Sequence, residues 1–247
     1  MIGIIGGTGL TRLSALELER KEVVRTPYGE PSGALAFGRL GGQEVVFLAR
    51  HGIGHTWPAH RVNYRANIWA LREVGVTKII AVASVGGIHA NLGPGALVVP
   101  DQILDYTWGR ESSYCDDETP VRHVDFTHPY DAQLSRALLQ AAADLGVSVK
   151  DGGTYACTQG PRLETAAEID RLERDGADLV GMTAMPEAIL ARELDLKYAA
   201  INIVVNAAAG RAESARNIQF ADMQSLLEES MPCLLRILER FCRNDGK

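Results

Sequence analysis

Short apolar runs alternate with amphipathic stretches along the whole chain. The apolar runs are rich in Val, Ile and Ala and are bounded by Gly, Asp or Asn, which is typical of buried sheet strands. In the amphipathic stretches the apolar residues recur at helical spacing; Val62, Ala66, Trp69, Ala70 and Val74, for example, share one helix face. The alternation predicts an α/β fold in which helices flank a central mixed β-sheet.

The same pattern gives the expected bounds of each element. The predicted strands are Ile2–Ile5, Glu44–Ala49, Lys78–Val85, Ala96–Val99, Thr154–Thr158, Leu179–Thr183 and Tyr198–Asn206. The predicted helices are Arg61–Val74, Ala132–Leu145, Glu164–Arg174, Pro186–Leu194 and Phe220–Cys242. Because no internal repeat or low-complexity linker interrupts them, we expect a single domain over residues 1–247, with residues 243–247 as a loose tail.

One long irregular stretch, from Asp105 to Tyr130, separates these elements and is polar and rich in His, Asp and Ser. A loop of this length in a compact domain is usually functional or interfacial. We therefore expect part of this stretch to serve a binding site or a subunit contact.

Composition and charge narrow the range of partners. Hydrophobic residues make up 46% of the chain and charged residues 23%, which is ordinary for a globular domain and argues against disorder. The formal net charge of -6 provides no general basic field to hold nucleic acid. A small anion is not excluded, because a few Arg, His and backbone N–H groups bind one regardless of net charge.

The cysteines and the N-terminus bear on the compartment. Cys115, Cys157, Cys233 and Cys242 form no CxxC pair and have no metal-ligand spacing with His, which predicts free thiols in a reducing cytosol. The N-terminus lacks the cationic region of a signal peptide, and no apolar run reaches the roughly 18 residues of a membrane span. We therefore expect a cytoplasmic protein with no membrane partner.

Candidate binding groups follow the predicted strands, at the edge where open α/β sheets place their ligands. The loop Gly6-Gly7-Thr8-Gly9 can bring backbone N–H groups close to an anion, although a plain tight turn fits it equally well. Arg50 offers a bidentate fork for phosphate and His51 a second donor. A surface ion pair beside a structural His is the alternative for these two residues.

Further polar residues stand at strand ends and helix starts, among them Ser84, Glu164, Thr183 and Asn206. Taken alone, Glu164 fits a carboxylate that caps a helix, and Asn206 fits the cap of a turn. No single one of these positions identifies a chemistry.

The order and spacing of the motifs are more specific than any one of them. GGTGL at the start, RHG near residue 50, VNYRANIWAL, the Gly86-Gly87 turn, GPRLET and GMTAMPEAILARE follow one another along the chain. Together they resemble the trimeric purine nucleoside phosphorylase family, most closely its methylthioadenosine phosphorylase branch. The resemblance runs from Ile2 to about Phe241.

This resemblance implies that inorganic phosphate attacks the anomeric carbon of a nucleoside while the purine leaves, through a transition state like an oxocarbenium ion. It assigns phosphate binding to Thr8, Arg50, His51, Ala83, Ser84 and Thr183. It makes Arg50, His51 and Asn206 the catalytic residues, and it lays Met182 against the sugar. His123 matches a residue that reaches into a neighbouring subunit, which implies a homotrimer. Phosphate is a co-substrate, and no metal or organic cofactor is implied.

Departures from the nearest branch indicate the substrate. Methylthioadenosine phosphorylases carry Asp at the positions of Asn206 and Ala208 and Ser at Glu164, whereas a Glu–Asn pair suits a 6-oxopurine. Ala207 completes the expected base site. Phe220, with Ile218 and Met223, makes the 5′ end apolar and suited to a methylthio group; the alternative is that Phe220 is only a core residue of the last helix.

We therefore expect phosphorolysis of S-methyl-5′-thioinosine. Methylthioadenosine phosphorylase and a general inosine/guanosine phosphorylase are the alternative enzymes. A nucleoside sensor without catalysis is the alternative of another class.

Overall fold

The computed structural model describes residues 1–10, 13–115 and 121–245, and in them one mixed sheet carries helices on both faces. The strands are β1 Ile2–Gly6, β2 Glu17–Glu22, β3 Leu35–Leu40, β4 Gln43–Ala49, β5 Lys78–Gly87, β6 Leu97–Val99, β7 Gln102–Asp105, β8 Lys150–Asp151, β9 Thr154–Cys157, β10 Leu179–Gly181 and β11 Lys197–Ala207. The helices are α1 Tyr64–Glu73, α2 Ala132–Ala143, α3 Ala166–Arg174, α4 Ala184–Glu193 and α5 Phe220–Asp245.

The long strand β5 is the hub of the sheet. Along one path the strand order is β2-β3-β4-β1-β5-β10-β9-β7, and β11 joins β5 separately and carries β6 and then β8. Because β11 pairs with β5 over its whole length, β1 and β10 must share the other edge of β5. The pairing with β1 stops at Ala81 and the pairing with β10 starts at Gly86, so residues 82–85 have no strand partner on that edge.

The apolar faces of the helices form the core with the sheet. Helices α1 and α4 pack on one face and α2 and α5 on the other, each against a separate cluster of buried side chains. Side chains of β11 alternate between the two clusters, with Ala200 in the first and Ile201 in the second. A smaller cluster joins α3 to β9 and β10. The predicted single-domain α/β fold with a mixed sheet is confirmed.

The bounds of two predicted helices are corrected by their caps. The Asn63 side chain accepts a hydrogen bond from the Ala66 N–H, so α1 begins at Tyr64, after a separate 3-10 turn over Ala59–Arg61. Thr165 caps α3 in a capping box with Glu168, so this helix begins at Ala166 and Glu164 lies outside it.

The C-terminal prediction also needs correction. Helix α5 continues through Asp245, and the Lys78 ammonium pairs with the Asp245 carboxylate at 2.6 Å. Residues 243–245 of the predicted loose tail are therefore helical, while 246–247 lie outside the described residues. Among the described helices, none is both long and apolar enough to cross a membrane.

Candidate active site

A cleft of about 470 Å³ lies at the carboxyl ends of β1, β4, β10 and β11 and beside the last residues of β5. This volume is within the range of roughly 300–1,000 Å³ that is usual for small-molecule sites. Its lining includes Gly7, Thr8, Arg50, His51, Ala83, Ser84, Glu164, Met182, Thr183, Asn206, Ala208, Ile218, Phe220 and Met223. Most of the residues singled out in the sequence therefore meet in one place.

The floor of the cleft is residues 82–85 of β5, which pair with β11 on one edge and have no strand partner on the other. Between the pairing with β1 and the pairing with β10, Ala83 and Ser84 face the cleft instead of another strand. Gly7 crosses this stretch closely: a β-carbon on it would lie 2.7 Å from the Val82 carbonyl oxygen and 2.9 Å from Nη1 of Arg50. Only glycine fits this close approach. Because Gly7 has no side chain, its backbone itself borders the cleft.

Arg50 is 1% exposed and forms a buried ion pair with Glu187 of α4. It donates from Nε and Nη2 to the two Glu187 carboxylate oxygens, at 2.6 and 2.8 Å, and from Nη1 to the Val82 carbonyl at 2.9 Å. The Tyr198 hydroxyl donates to the same carboxylate. Burial alone would lower the pKa of Arg50, but the pairing with Glu187 has the larger effect and raises it. The pair is thus not at the surface, and one N–H each on Nη1 and Nη2 remains for a ligand.

His51 is buried beside Arg50 and is neutral at physiological pH. Burial, and then the charge of Arg50, lower the pKa of His51 to about 4. Its Nδ1 lies 2.7 Å from the Trp57 carbonyl oxygen, so Nδ1 carries the single proton of the neutral ring. Nε2 then offers a lone pair instead of the second donor expected from the sequence. It would accept a hydrogen bond from a protonated phosphate oxygen.

The remaining polar groups at this end come from the loop after β1, from β5 and from the residue before α4. Thr8 and Ser84 are half-buried, and Thr183 is buried. Thr183 precedes the first residue of α4, but its hydroxyl does not cap the helix. Met185 has non-helical backbone angles (φ -114°, ψ 137°), so the regular turns of α4 begin after it, at Pro186. Met182 borders the same end of the cleft, next to Thr183.

At the opposite end Glu164 turns towards the cleft instead of capping a helix. Thr165 and Glu168 fill the capping positions of α3, and the Thr158 hydroxyl donates to Oε1 of Glu164 at 2.6 Å. This bond fixes the carboxylate and leaves Oε2 available as an acceptor.

Asn206 reaches the cleft through an irregularity in β11. The pairing of β11 with β5 shifts between Val204 and Asn206, so that Val205 and Asn206 both border the cleft. One Asn206 amide N–H bonds to the Ala207 carbonyl oxygen at 2.6 Å, which leaves the other N–H and Oδ1 available. Ala207 itself is buried outside the cleft lining and donates its N–H to Glu213, which corrects its expected contact with the base; Ala208 does line the cleft.

Phe220 is 68% exposed and borders the cleft together with Ile218 and Met223. As the first residue of α5 it does not belong to the helix core, which starts further along at Leu227. The alternative of Phe220 as a core residue is therefore excluded, and this end of the cleft is apolar.

His123 lies apart from the residues above. It is exposed and does not border the cleft of its own chain. Within the described residues, no group of three or more His, Cys, Asp or Glu side chains is arranged to hold a metal ion.

Three residues that the sequence analysis did not single out support the cleft: Glu187, Thr158 and Arg110. Glu187 had a signal, because it is the one acidic residue among the apolar positions of AMPEAILA and a fully buried carboxylate needs a partner. Arg110 had none, because its partner Met182 is distant in sequence. Thr158 had none either, because it meets Glu164, six residues further on, only through the conformation of the loop between them.

The comparisons with known proteins agree with this geometry. The family model of the phosphorylase superfamily matches residues 1–243. A probable S-methyl-5′-thioinosine phosphorylase of Pseudomonas syringae pv. tomato is 52% identical over 229 residues, 92% of either chain. A 6-oxopurine nucleoside phosphorylase of Pyrococcus furiosus is 46% identical over 243 residues, 96% of this chain and 90% of that protein. The solved structure of methylthioadenosine phosphorylase from Schistosoma mansoni with adenine has a TM-score of 0.94 at 32% identity, covering 99% of this chain and 91% of that one. The chain belongs to the phosphorylase superfamily.

Proposed function

We propose that this protein cleaves S-methyl-5′-thioinosine with inorganic phosphate, releasing hypoxanthine and 5-methylthioribose 1-phosphate. An oxygen of phosphate bonds to the anomeric carbon as the bond from that carbon to N9 of the purine breaks. The bonding electron pair leaves with the base, which takes a proton at N7 from water. No metal or organic cofactor takes part.

The observation that carries the proposal is the pair of Glu164 and Asn206 at one end of the cleft. Thr158 holds Oε1 of Glu164, so that Oε2 can accept from N1–H, a proton that hypoxanthine has and adenine lacks. The free amide N–H of Asn206 suits the 6-oxo oxygen, and its Oδ1 suits N7–H of the departing base. Ala208 offers no carboxylate to an adenine amino group.

The opposite end suits the nucleophile. Arg50, Thr8, Ser84 and Thr183 surround a region in which the Arg50 charge is already balanced by Glu187. Phosphate is therefore held by directed N–H and O–H donors more than by net charge, and its own negative charge faces the developing cation of the sugar. Met182 lies against that sugar.

Assembly and compartment are part of the proposal. His123 is exposed and away from its own cleft, which suits a residue that completes the cleft of a neighbour in a homotrimer. In the described part of the chain, Cys157, Cys233 and Cys242 form no disulfide, which suits the reducing cytoplasm.

The direct test measures free base from methylthioinosine and methylthioadenosine, with and without phosphate. We expect release only with phosphate, and a preference in kcat/KM for the 6-oxo nucleoside of up to about 10⁴-fold, because a mismatched base leaves buried polar groups unpaired. Base release without phosphate would make the protein a hydrolase, and equal use of both nucleosides would overturn the assignment of the base site.

Two variants test the base site itself. Glu164→Gln replaces an acceptor by an amide whose N–H can donate to N1 of adenine, so the preference should shift towards methylthioadenosine. The combination Asn206→Asp with Ala208→Asp should shift it the same way. Glu168→Gln is the matched control, since this carboxylate belongs to the capping box of α3 and not to the cleft. An unchanged preference in Glu164→Gln would contradict the proposed role of this residue.

A further inference from the structure

Arg110, in the long segment between β7 and α2, uses all of its guanidinium N–H groups on oxygen atoms beside the cleft. Nε donates to the Gln159 side-chain oxygen at 3.1 Å. Nη1 donates to the carbonyl oxygens of Met182 at 2.8 Å and Met185 at 2.6 Å. Nη2 donates to the carbonyl oxygens of Gln159 at 2.8 Å and Thr158 at 3.2 Å. One side chain thus binds two separate loops.

The two loops form neighbouring parts of the active site. Residues 158–164, here the base wall, carry Thr158 and the Glu164 that it holds. Residues 182–185, here the sugar wall, carry Met182 and include the irregular first two residues of α4. The walls touch directly, because a β-carbon on Gly160 would lie 2.6 Å from Sδ of Met182. Their separation therefore sets the distance between the groups proposed to hold base and sugar.

The chemistry of this contact requires arginine. Every acceptor of Arg110 in the described part of the chain is neutral: backbone carbonyls, the Gln159 amide and, at 3.4 Å, the Tyr64 hydroxyl. A surface charge pair would not need such an arrangement. Lysine has three N–H donors on one atom and cannot reach both walls in the plane that the guanidinium spans.

We propose that Arg110 is a positioning residue that holds the base wall and the sugar wall at the separation required for cleavage. This inference rests on the proposed function for its effect on rate, but the contact itself can be tested without turnover. Arg110 touches neither base nor phosphate in this scheme and acts through Thr158, Gln159 and Met182.

The kinetic test compares Arg110→Gln and Arg110→Lys with Arg192→Gln. Arg192 is the matched control, because it also donates to two backbone carbonyls, those of Asp125 and His128, but away from the cleft. Misplacement of reacting groups by about 1 Å can cost about 10²-fold in rate. We expect both Arg110 variants to lose about that factor in kcat/KM for the nucleoside, with KM for phosphate within about threefold of wild type. Arg192→Gln should stay near wild type.

Hydrogen–deuterium exchange on the folded variants provides the readout that needs no activity. Amides of the base wall and the sugar wall should exchange faster in Arg110→Gln and Arg110→Lys, and remain unchanged in Arg192→Gln. Unchanged exchange in both walls, or full restoration of kcat/KM by Arg110→Lys, would overturn the inference. A wild type that cleaves no nucleoside would end the proposed function instead, while the exchange result would still decide whether Arg110 joins the walls.

Discussion

The buried pair of Arg50 and Glu187 shows how a single contact determines the character of the proposed phosphate end of the cleft. Removing two charges from water is costly, and only close hydrogen bonding on both sides compensates for it. Glu187 takes one edge of the guanidinium, and Tyr198 and the Val82 carbonyl complete the set of partners. These partners fix the direction of the remaining N–H groups on Nη1 and Nη2. Towards the cleft, Arg50 therefore acts as a directed hydrogen-bond donor more than as a free positive charge.

Substitutions of Arg50 should therefore separate activity from stability. Arg50→Lys keeps a charge for Glu187 but not the oriented donor edge, so we expect about a 10²-fold loss of kcat/KM with a small change in stability. Arg50→Ala leaves a buried carboxylate unpaired, which should lower the free energy of unfolding by about 3–5 kcal/mol. Phosphorolysis rates and urea denaturation measure the two effects.

A double variant, Arg50→Met with Glu187→Leu, is the control for that experiment. Replacing a buried pair by apolar residues of similar volume is often tolerated, so this variant should regain stability over Arg50→Ala but stay inactive. If it cleaves nucleoside at near the wild-type rate, Arg50 has no part in holding phosphate.

At the scale of elements, burial explains most but not all of the strands that the sequence predicts. Strand β3, LAFGRL, is buried at every position except Arg39 and is still absent from the predicted strands, because Gly38 and Arg39 interrupt its apolar run. All seven predicted strands exist, because strands such as β5 and β11 are buried on both faces and are nearly continuous apolar runs. The charged edge strand β2, ELERKE, is exposed at every position, so its sequence shows no regular alternation of apolar and polar residues. Strand β8 has two residues, and β7 is short and half-exposed, so both lack a readable pattern.

In the cleft, the sequence indicated which residues meet but not how they are hydrogen-bonded. Motif residues such as Arg50, Glu164 and Asn206 could be assigned to one site because the carboxyl ends of strands converge. Their hydrogen-bond states could not, because Glu187, Thr158 and Trp57 reach them only through tertiary contacts or loop geometry. The tautomer of His51 is the clearest case, since one carbonyl turns an expected donor into an acceptor.

The start of α5 carries a prediction about the 5′ substituent. A hydroxyl enclosed without a partner costs about 1–3 kcal/mol. When bound substrate and a neighbouring subunit cover the exposed Phe220, its apolar site should therefore make inosine roughly tenfold to hundredfold poorer than methylthioinosine in kcat/KM. Phe220→His should narrow this ratio by offering the hydroxyl a hydrogen-bond partner. Gln224→His, exposed on the same helix outside the cleft, is the control. Equal use of both nucleosides by the wild type would contradict the apolar 5′ site and favour a general 6-oxopurine nucleoside phosphorylase.

For the whole molecule, one chain provides most of the proposed site but leaves it open at the apolar end. Phe220, Ile53 and Trp57 are large apolar side chains that remain exposed, and Phe220 borders the cleft itself. His123 is also exposed, but it lies away from the cleft of its own chain. In a symmetric ring each subunit presents one surface to the neighbour on either side, so an exposed residue of one copy can complete the site of the next.

Mixing two inactive variants tests whether His123 acts in this way. His123→Ala retains its own phosphate residues but would give its neighbour no histidine, and Arg50→Lys has an impaired site but still provides His123. In mixed rings, a site is complete only where a His123→Ala subunit receives the histidine of an Arg50→Lys subunit. Random assembly from equal amounts makes that about a quarter of all sites, so co-expression should restore up to about a quarter of wild-type activity. Light scattering reports the number of subunits, and each variant expressed alone is the baseline. A mixture no more active than the mean of its two components, or a wild type that is monomeric, would exclude a shared site.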